Sequence, residues 1–318
     1  MAEEAVEVGK RPINKPLIQR LWSIRMLYVM FLPGLLYFIV FKYVPMFGVI
    51  IAFQEYSPFK GMLHSDWVGL KHFEDLFGDP YFYTLLKNTF VLAIYTLLFG
   101  FPVPIVFALL LNELRMMLMK RFIQTVTFFP YFISSAVAVG ILYTFLSPQS
   151  GFVNIILEKA FGIDPISFMA EPGYFRSLYV GLEIWRSFGY GAIIYLAAIA
   201  GIDPHLYEAA DVDGASRLGK MMHVTLPGIR HTMIILLILG LGSALTVSLD
   251  TILLMYNPSV YSKADVLQTY VFRRGFGIDT VPNYSFASAA GLFQSVVALI
   301  LIGSANAAAK RFSETRLF

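Results

Sequence analysis

Three ionisable residues fall inside long apolar runs of this sequence: Glu183, Arg186 and Asp250. Charge is costly in hydrocarbon, so such groups usually face a bundle interior or a water-filled cavity. Glu183 and Arg186 are three residues apart, on one face of a helix, where they can neutralise each other. Two readings stay open for them: a structural ion pair, or the lining of a path. Asp250 has no local partner, which favours a cavity-facing role. Around the pair stand Trp185, Phe188, Tyr190 and Tyr195, mixed with Gly181, Gly189 and Gly191. These aromatics either line a cavity or pack helices and meet lipid.

Other chemistries find no support. The sequence has no cysteine, which removes disulfides, thiol catalysis and Cys-ligated zinc. His205, His223 and His231 lie close in sequence but lack partners at ligand spacing, so no metal site is expected. No phosphate-cradling G-x-x-x-x-G-K-[ST] run occurs. Gly189-Tyr190-Gly191 and Gly240-Leu241-Gly242 fall short of a dinucleotide fingerprint, and small residues in apolar spans more often serve helix contact. No catalytic residue and no bound cofactor are therefore assigned, and any energy used must come from elsewhere. A net charge of +3 gives no reason to expect nucleic acid.

The elements that position these residues belong in lipid. Of 318 residues, 57% are hydrophobic and only 14% charged, with a mean hydropathy of +0.67. Soluble domains carry about 25% charged residues. Crossing a bilayer core takes roughly 20 mostly apolar helical residues. Six stretches qualify: Met26–Tyr43, Leu85–Leu111, Phe122–Leu146, Tyr174–Ala200, His231–Tyr256 and Ser285–Ala309. The first can run on through Phe53, with Lys42 reaching to an interface, and it has no small-residue cleavage site after it. Prolines 33, 102, 104 and 130 are tolerated in such spans. The expected class is all-α, a polytopic membrane protein of six transmembrane helices, with membrane lipid as its solvent. Residues 1–25 form an N-terminal arm, 26–309 the membrane domain and 310–318 a tail.

Positive charge is retained in the cytoplasm. Fourteen Lys and Arg residues fall on the side of the N-terminal arm, among them Arg115, Lys120, Arg121, Arg217, Lys220 and Arg230. Seven fall on the other side: Lys60, Lys71, Lys159, Arg176, Lys263, Arg273 and Arg274. Both termini are expected in the cytoplasm. Arg273 and Arg274, in the fifth connection, run against the trend. Asn283-Tyr284-Ser285 matches a glycosylation sequon, a three-residue pattern read here as chance.

The fourth connection, residues 201–230, is unusually ordered for a loop. Asp203 can cap a helix whose first residue is Pro204. Leu206, Ala209 and Ala210 then share a face, Gly214 supplies the C-terminal stop, and a second helix is expected from Ala215 to about Val224, with Pro227 ahead of the fifth span. The product is a helix–Gly–helix elbow at the membrane surface. Its small residues admit another backbone, while Glu208, Asp211, Asp213 and Arg217 can fix register.

Glu208-Ala209-Ala210, Asp213-Gly214-Ala215 and Leu226-Pro227 together resemble the EAA loop of permease subunits in binding-protein-dependent ATP-binding-cassette importers. Phe41-Lys42-Tyr43-Val44-Pro45, Ser65-Asp66-Trp67-Val68-Gly69-Leu70, Lys87-Asn88-Thr89, Thr269-Tyr270-Val271 and Ser313-Glu314 extend the resemblance over nearly the whole chain. They are similar to the maltose-type branch, and within it to the oligosaccharide and lipoprotein-permease group. The chain lacks the extra N-terminal spans and large periplasmic insertion of one maltose-type subunit. The resemblance implies a type I importer permease in a bacterial plasma membrane, with Glu208 touching an ATPase subunit, Gly214 permitting the bend and Ala215 to about Met222 docked in the ATPase groove. It implies as partners a second homologous permease, an ATPase dimer that binds the ATP, an extracellular solute-binding protein and a carbohydrate. Sugars offer hydroxyls for hydrogen bonds and ring faces for stacking, so Trp185, Tyr190 and Asp250 are named with Glu183 and Arg186 as candidates for the path. An ion-coupled secondary transporter using Glu183, Arg186 and Asp250 as a relay is the alternative, although no inverted repeat or broken helix is read from the sequence. A membrane enzyme acting on lipid-linked sugars comes third, lacking a catalytic constellation.

Overall fold

The structure is a computed structural model that describes Trp22 and residues 25–277 and 281–312. The rest of the N-terminal arm and the end of the tail, including Ser313-Glu314, lie outside the described residues. Helix α1 runs over Arg25–Phe53, through a π turn at Ile39–Tyr43 and a 3-10 segment at Phe47–Phe53, so the first span does continue to Phe53. Only Ala52 of it is buried. A short antiparallel ribbon follows, with β1 (Gln54–Glu55) facing β2 (Asp66–Trp67). Helix α2 (Lys71–Gly78) leads into α3 (Pro80–Asn112), which starts earlier than the hydrophobic run because Asp79 caps it and Pro80 opens it.

The third span is not one helix. Helices α4 (Met117–Phe132) and α5 (Ser135–Leu146) meet at an angle of 104°. Pro130 tightens the end of α4 into a 3-10 turn, and Ser134 caps α5 by accepting from the Val137 N–H. Helix α6 (Phe152–Phe161) is a surface helix, and α7 (Pro172–Ala200) is the long fourth span. Helices α8 (Pro204–Val212) and α9 (Arg217–Gly228) form the elbow. The fifth span is also broken, with α10 (Arg230–Ala244) and α11 (Leu249–Met255) separated at Leu245–Ser248. Helix α12 (Leu267–Phe276) lies in the next connection, and α13 (Tyr284–Phe312) closes the bundle. Among the described residues three helices are long and apolar enough to span a membrane alone; three further runs qualify only as bent pairs. The sequon residues cap α13 and tie it down. Asn283 Oδ1 accepts from the Phe286 N–H (2.9 Å), and Ser285 Oγ from the Tyr56 N–H (2.9 Å).

Apolar contact gains little in lipid, so helix association depends on close approach. The tightest contact joins the third and fourth spans. A Cβ placed on Gly189 would lie 2.1 Å from the Thr127 carbonyl oxygen, so the α4 and α7 backbones touch there. Gly189→Ala is expected to cost about 1–3 kcal/mol of stability by overpacking. Gly181→Ala, on the same helix with nothing within 4 Å, is expected to be neutral. Thermal unfolding of the two variants in detergent checks this; equal melting temperatures would refute the contact.

Candidate functional site

The elbow is built as its sequence predicts. Asp203 Oδ1 accepts from the His205 N–H at 3.0 Å, opening α8 behind Pro204. At the other end, the Ala215 N–H reaches the Ala210 carbonyl (2.9 Å) and the Gly214 N–H the Asp211 carbonyl (3.1 Å). This pair is a Schellman stop, and Gly214 takes the left-handed φ of 73° that it needs. The second helix starts at Arg217 rather than Ala215, because Ser216 is its cap, accepting from the Gly219 N–H. It then runs through a π turn at Met221–Thr225 to Gly228.

Three ties brace the elbow. Lys220 Nζ pairs with Asp211 at 2.6 Å. Tyr207 Oη and buried Thr225 Oγ1 lie 3.0 Å apart. Ile202 fills the space over Gly228 so closely that a Cβ there would meet it at 2.6 Å. Asp211 is thus engaged inside the elbow, whereas Glu208 stays exposed with His205 Nδ1 at 3.2 Å. Ala209, Asp213, Arg217 and Pro227 are exposed; Ala210, Ala215 and Leu226 are half-buried. The outer surface also presents Leu206, Val212, Leu218 and Met222, with Val212 88% exposed. A braced base with an apolar, exposed tip is the form of a helix-in-groove contact.

Glu183 and Arg186 form the expected pair at 3.4 Å, and the structure gives it a second duty. Arg186 donates to the Ile133 carbonyl (3.1 Å) and Ser135 Oγ (3.2 Å), at the break in the third span. Glu183 Oε1 accepts from Thr251 Oγ1 (2.8 Å), beside the break in the fifth. The Ser248 N–H, freed at that break, donates to Tyr179 Oη (2.9 Å). The pair therefore satisfies backbone and hydroxyl groups that two broken helices expose, as broken spans in lipid require. Glu183 also borders a cavity of about 390 Å³ with Tyr179, Ser243, Thr246 and Ser248.

The other candidates are scattered. Trp185 borders a separate, apolar cavity of about 470 Å³ between α5 and α7. Tyr190 stacks on Tyr131 at 4.1 Å and on Phe128 at 5.8 Å, filling the angle of the third span. Asp250 is exposed in the first turn of α11, where a carboxylate suits the helix N-terminus.

A buried ionic cluster escaped the sequence reading. Asp265, fully buried, accepts from Tyr81 Oη, Thr269 Oγ1 and Arg273 Nη2, each at 2.5 Å. Asn88 Nδ2 donates to the Asp265 and Ser262 carbonyls, and Arg176 donates to Asn88 Oδ1. Arg274 reaches Tyr270 Oη at 3.3 Å. Tyr81, Asn88 and Arg176 are far from Asp265 in sequence, whereas Thr269 and Arg273 follow it by four and eight residues, a helical spacing that could have signalled them; Asn88 and Thr269 stood in quoted family segments with no role assigned. Among the described residues, no group of three or more His, Asp or Glu could hold a metal.

The model of the family described as "binding-protein-dependent transport system inner membrane component" matches residues 100–314. A polygalacturonan/rhamnogalacturonan transport system permease protein, YteP of Bacillus subtilis, is 44% identical over 98% of this chain and 96% of its own length. Protein LplB of the same organism is 46% identical over 92% of this chain and 91% of its own. A chain in the crystal structure of a bacterial alginate ABC transporter, in complex with an alginate pentasaccharide-bound periplasmic protein, superposes with a TM-score of 0.85 at 39% identity, covering 95% of this chain and 99% of that one. With its elbow, its bundle and these matches in agreement, the chain belongs to the family of inner-membrane components of binding-protein-dependent transport systems.

Proposed function

We propose that this chain is the permease subunit of an ATP-driven importer of an oligosaccharide, and that residues 201–230 receive the motion of an ATPase subunit. The observation that carries the reading is the elbow: braced by Asp211–Lys220 and Tyr207–Thr225 at its base, it offers Glu208 and an apolar surface at its tip. ATP closes the ATPase dimer, the elbow moves as a rigid lever, and the membrane cavity turns outward. This chain converts motion and hydrolyses nothing. The substrate class is supported by the names of the relatives: polygalacturonan and alginate are both polymers of acidic sugars. Helix α1, apolar and almost wholly exposed, supports contact with lipid and a second permease subunit.

Both termini belong in the cytoplasm on this reading, with 1–25 as arm, 26–309 as a six-span domain and 310–318 as tail. The excess of Lys and Arg on that side supports it. The two exceptions are explained locally, since Arg273 pairs with Asp265 and Arg274 lies over the Tyr270 and Phe286 rings. Family membership weighs against the ion-coupled alternative, and broken helices no longer separate the two readings, because the third and fifth spans of this bundle are broken. Uptake by the reconstituted transporter is expected to vanish with an ATPase subunit unable to hydrolyse ATP. Accumulation driven by a proton or sodium gradient in that preparation would overturn the proposal.

A further inference from the structure

Arg115, Lys120 and Arg121 lie between the end of α3 and the first turn of α4, and their charges go unused in the fold. Among the described residues none of the three enters an ion pair, and neither does Glu113, the acid nearest to them in sequence. The stretch around them is apolar and open, with Met116, Met117, Leu118 and Phe122 each between 60% and 80% exposed. This is the elbow's end of the bundle, because Ile105 and Leu109 of α3 pack with Ile199 and Ile229, beside Leu226 of the elbow. Just inside the cations lies a cavity of about 320 Å³, bordered by Phe107 and Leu111 of α3, Gln124 and Phe128 of α4, and Ala192 and Ile193 of α7. Its rim is open, since Thr125 and Ile193 are exposed. Its walls offer little hydrogen bonding: Thr125 Oγ1 is spent on the Arg121 carbonyl (3.0 Å) and Thr127 Oγ1 on the Ile123 carbonyl (2.7 Å). Helical register sets the cations over this rim, with Lys120 one turn from Gln124 and Arg121 one turn from Thr125.

We infer that this hollow binds one anionic phospholipid, its phosphate on Arg115, Lys120 and Arg121 and an acyl chain in the space between α3, α4 and α7. Only an amphiphile answers both halves of the site, an anionic head for the cations and an apolar tail for the hollow. Basic pockets between membrane helices on the cytoplasmic side take such head groups, and the exposed methionines, leucine and phenylalanine suit the boundary between head groups and chains. Gln124, half-buried beneath Lys120, supplies an amide for the ester carbonyls that lie between the two. A protein partner fits less well, because it would have to fill a narrow slot at acyl depth and bring acid to its mouth. The chain would lie beside the Gly189–Thr127 contact and so brace α7, which leads into the elbow. Placing the lipid in the cytoplasmic leaflet rests on the orientation proposed for the importer; its binding does not depend on uptake.

The test uses the assembled transporter in phosphatidylcholine vesicles doped with phosphatidylglycerol that carries a photoreactive acyl chain. After irradiation, crosslinked peptides of this chain are mapped by mass spectrometry. Crosslinks are expected in the parts of α3, α4 and α7 that border the hollow, displaced by unlabelled phosphatidylglycerol but not by phosphatidylcholine or by glycerol phosphate. Each cation near an anionic lipid contributes about fivefold in affinity, so Arg115→Gln, Lys120→Gln and Arg121→Gln together are expected to demand on the order of a hundredfold more lipid for the same yield. Thr125→Trp, which leaves the charges in place and fills the rim, is expected to remove these crosslinks while those elsewhere on the chain persist. Crosslinks indifferent to both variants, or displaced equally by phosphatidylcholine, would overturn the inference. So would loss of the ATPase or of the second permease from the purified triple variant, because a protein would then cover the cations. None of these outcomes reads transport, so the importer reading stands or falls separately, on its dependence on ATP.

Discussion

Gly214→Pro is expected to abolish uptake while leaving the chain folded in the membrane. Gly214 sits at a φ of 73°, and proline is confined to about −65°, so the stop between α8 and α9 cannot form. Proline also removes the N–H that reaches the Asp211 carbonyl and displaces the neighbouring bond from Ala215 to Ala210. The loss stays local, because Gly214 is exposed and nothing lies within 4 Å of where its Cβ would be. Helices α8 and α9 would therefore keep their own hydrogen bonds but lose their mutual angle. A lever without a fixed angle transmits no displacement. Gly214→Ala, at about 1–2 kcal/mol for the left-handed conformation, is expected to keep partial uptake. Glu208→Lys tests the other half of the contact: its side chain is 71% exposed, so reversing its charge leaves the fold alone and acts on the docked surface. Membrane fractionation, ATPase co-purification and uptake separate these outcomes. Full uptake in Gly214→Pro would remove the elbow from the coupling mechanism.

The elbow was legible because everything that shapes it is local. A cap, an N1 proline, a glycine stop and small residues act over a few positions, and each leaves its mark in the sequence. The spans were legible by length and composition for the same reason. The breaks at 133–134 and 245–248 were not, because a few Ser and Thr residues between apolar runs barely lower the hydropathy, which does not register a turn. Pro130 and Ser134 marked the first break, and Ser248, at the N-cap of α11, marked the second without a proline. There the freed backbone groups are answered from elsewhere in the bundle, the Ser248 N–H by Tyr179 and the Leu245 carbonyl by Gln294. Glu183 and Arg186 could be paired from their spacing, yet their work on two other spans depends on the tertiary fold. Asp265 was missed altogether: Tyr81 is 184 residues away from it in sequence.

That same cluster makes the largest stability prediction. Asp265 has no exposed surface, and the Arg273 side chain is 13% exposed, so neither charge is well solvated. Removing one member of a buried pair leaves the other uncompensated, at about 3–5 kcal/mol. Asp265→Ala also strips the acceptor from Tyr81 Oη, whereas Thr269 Oγ1 keeps the Val266 carbonyl as its acceptor. The cluster joins the start of α3 to the connection that carries α12, so its loss is expected to loosen the packing between them. A fall in melting temperature on the order of 10 °C is expected in detergent. Asp265→Leu combined with Arg273→Met should recover most of it, because two well-packed apolar groups leave no stranded charge. If the single and double variants lose the same amount, the ion pair is not what holds this end of the bundle. The cost would then lie in packing around Leu267 and Tyr270, which border the cluster and are themselves buried.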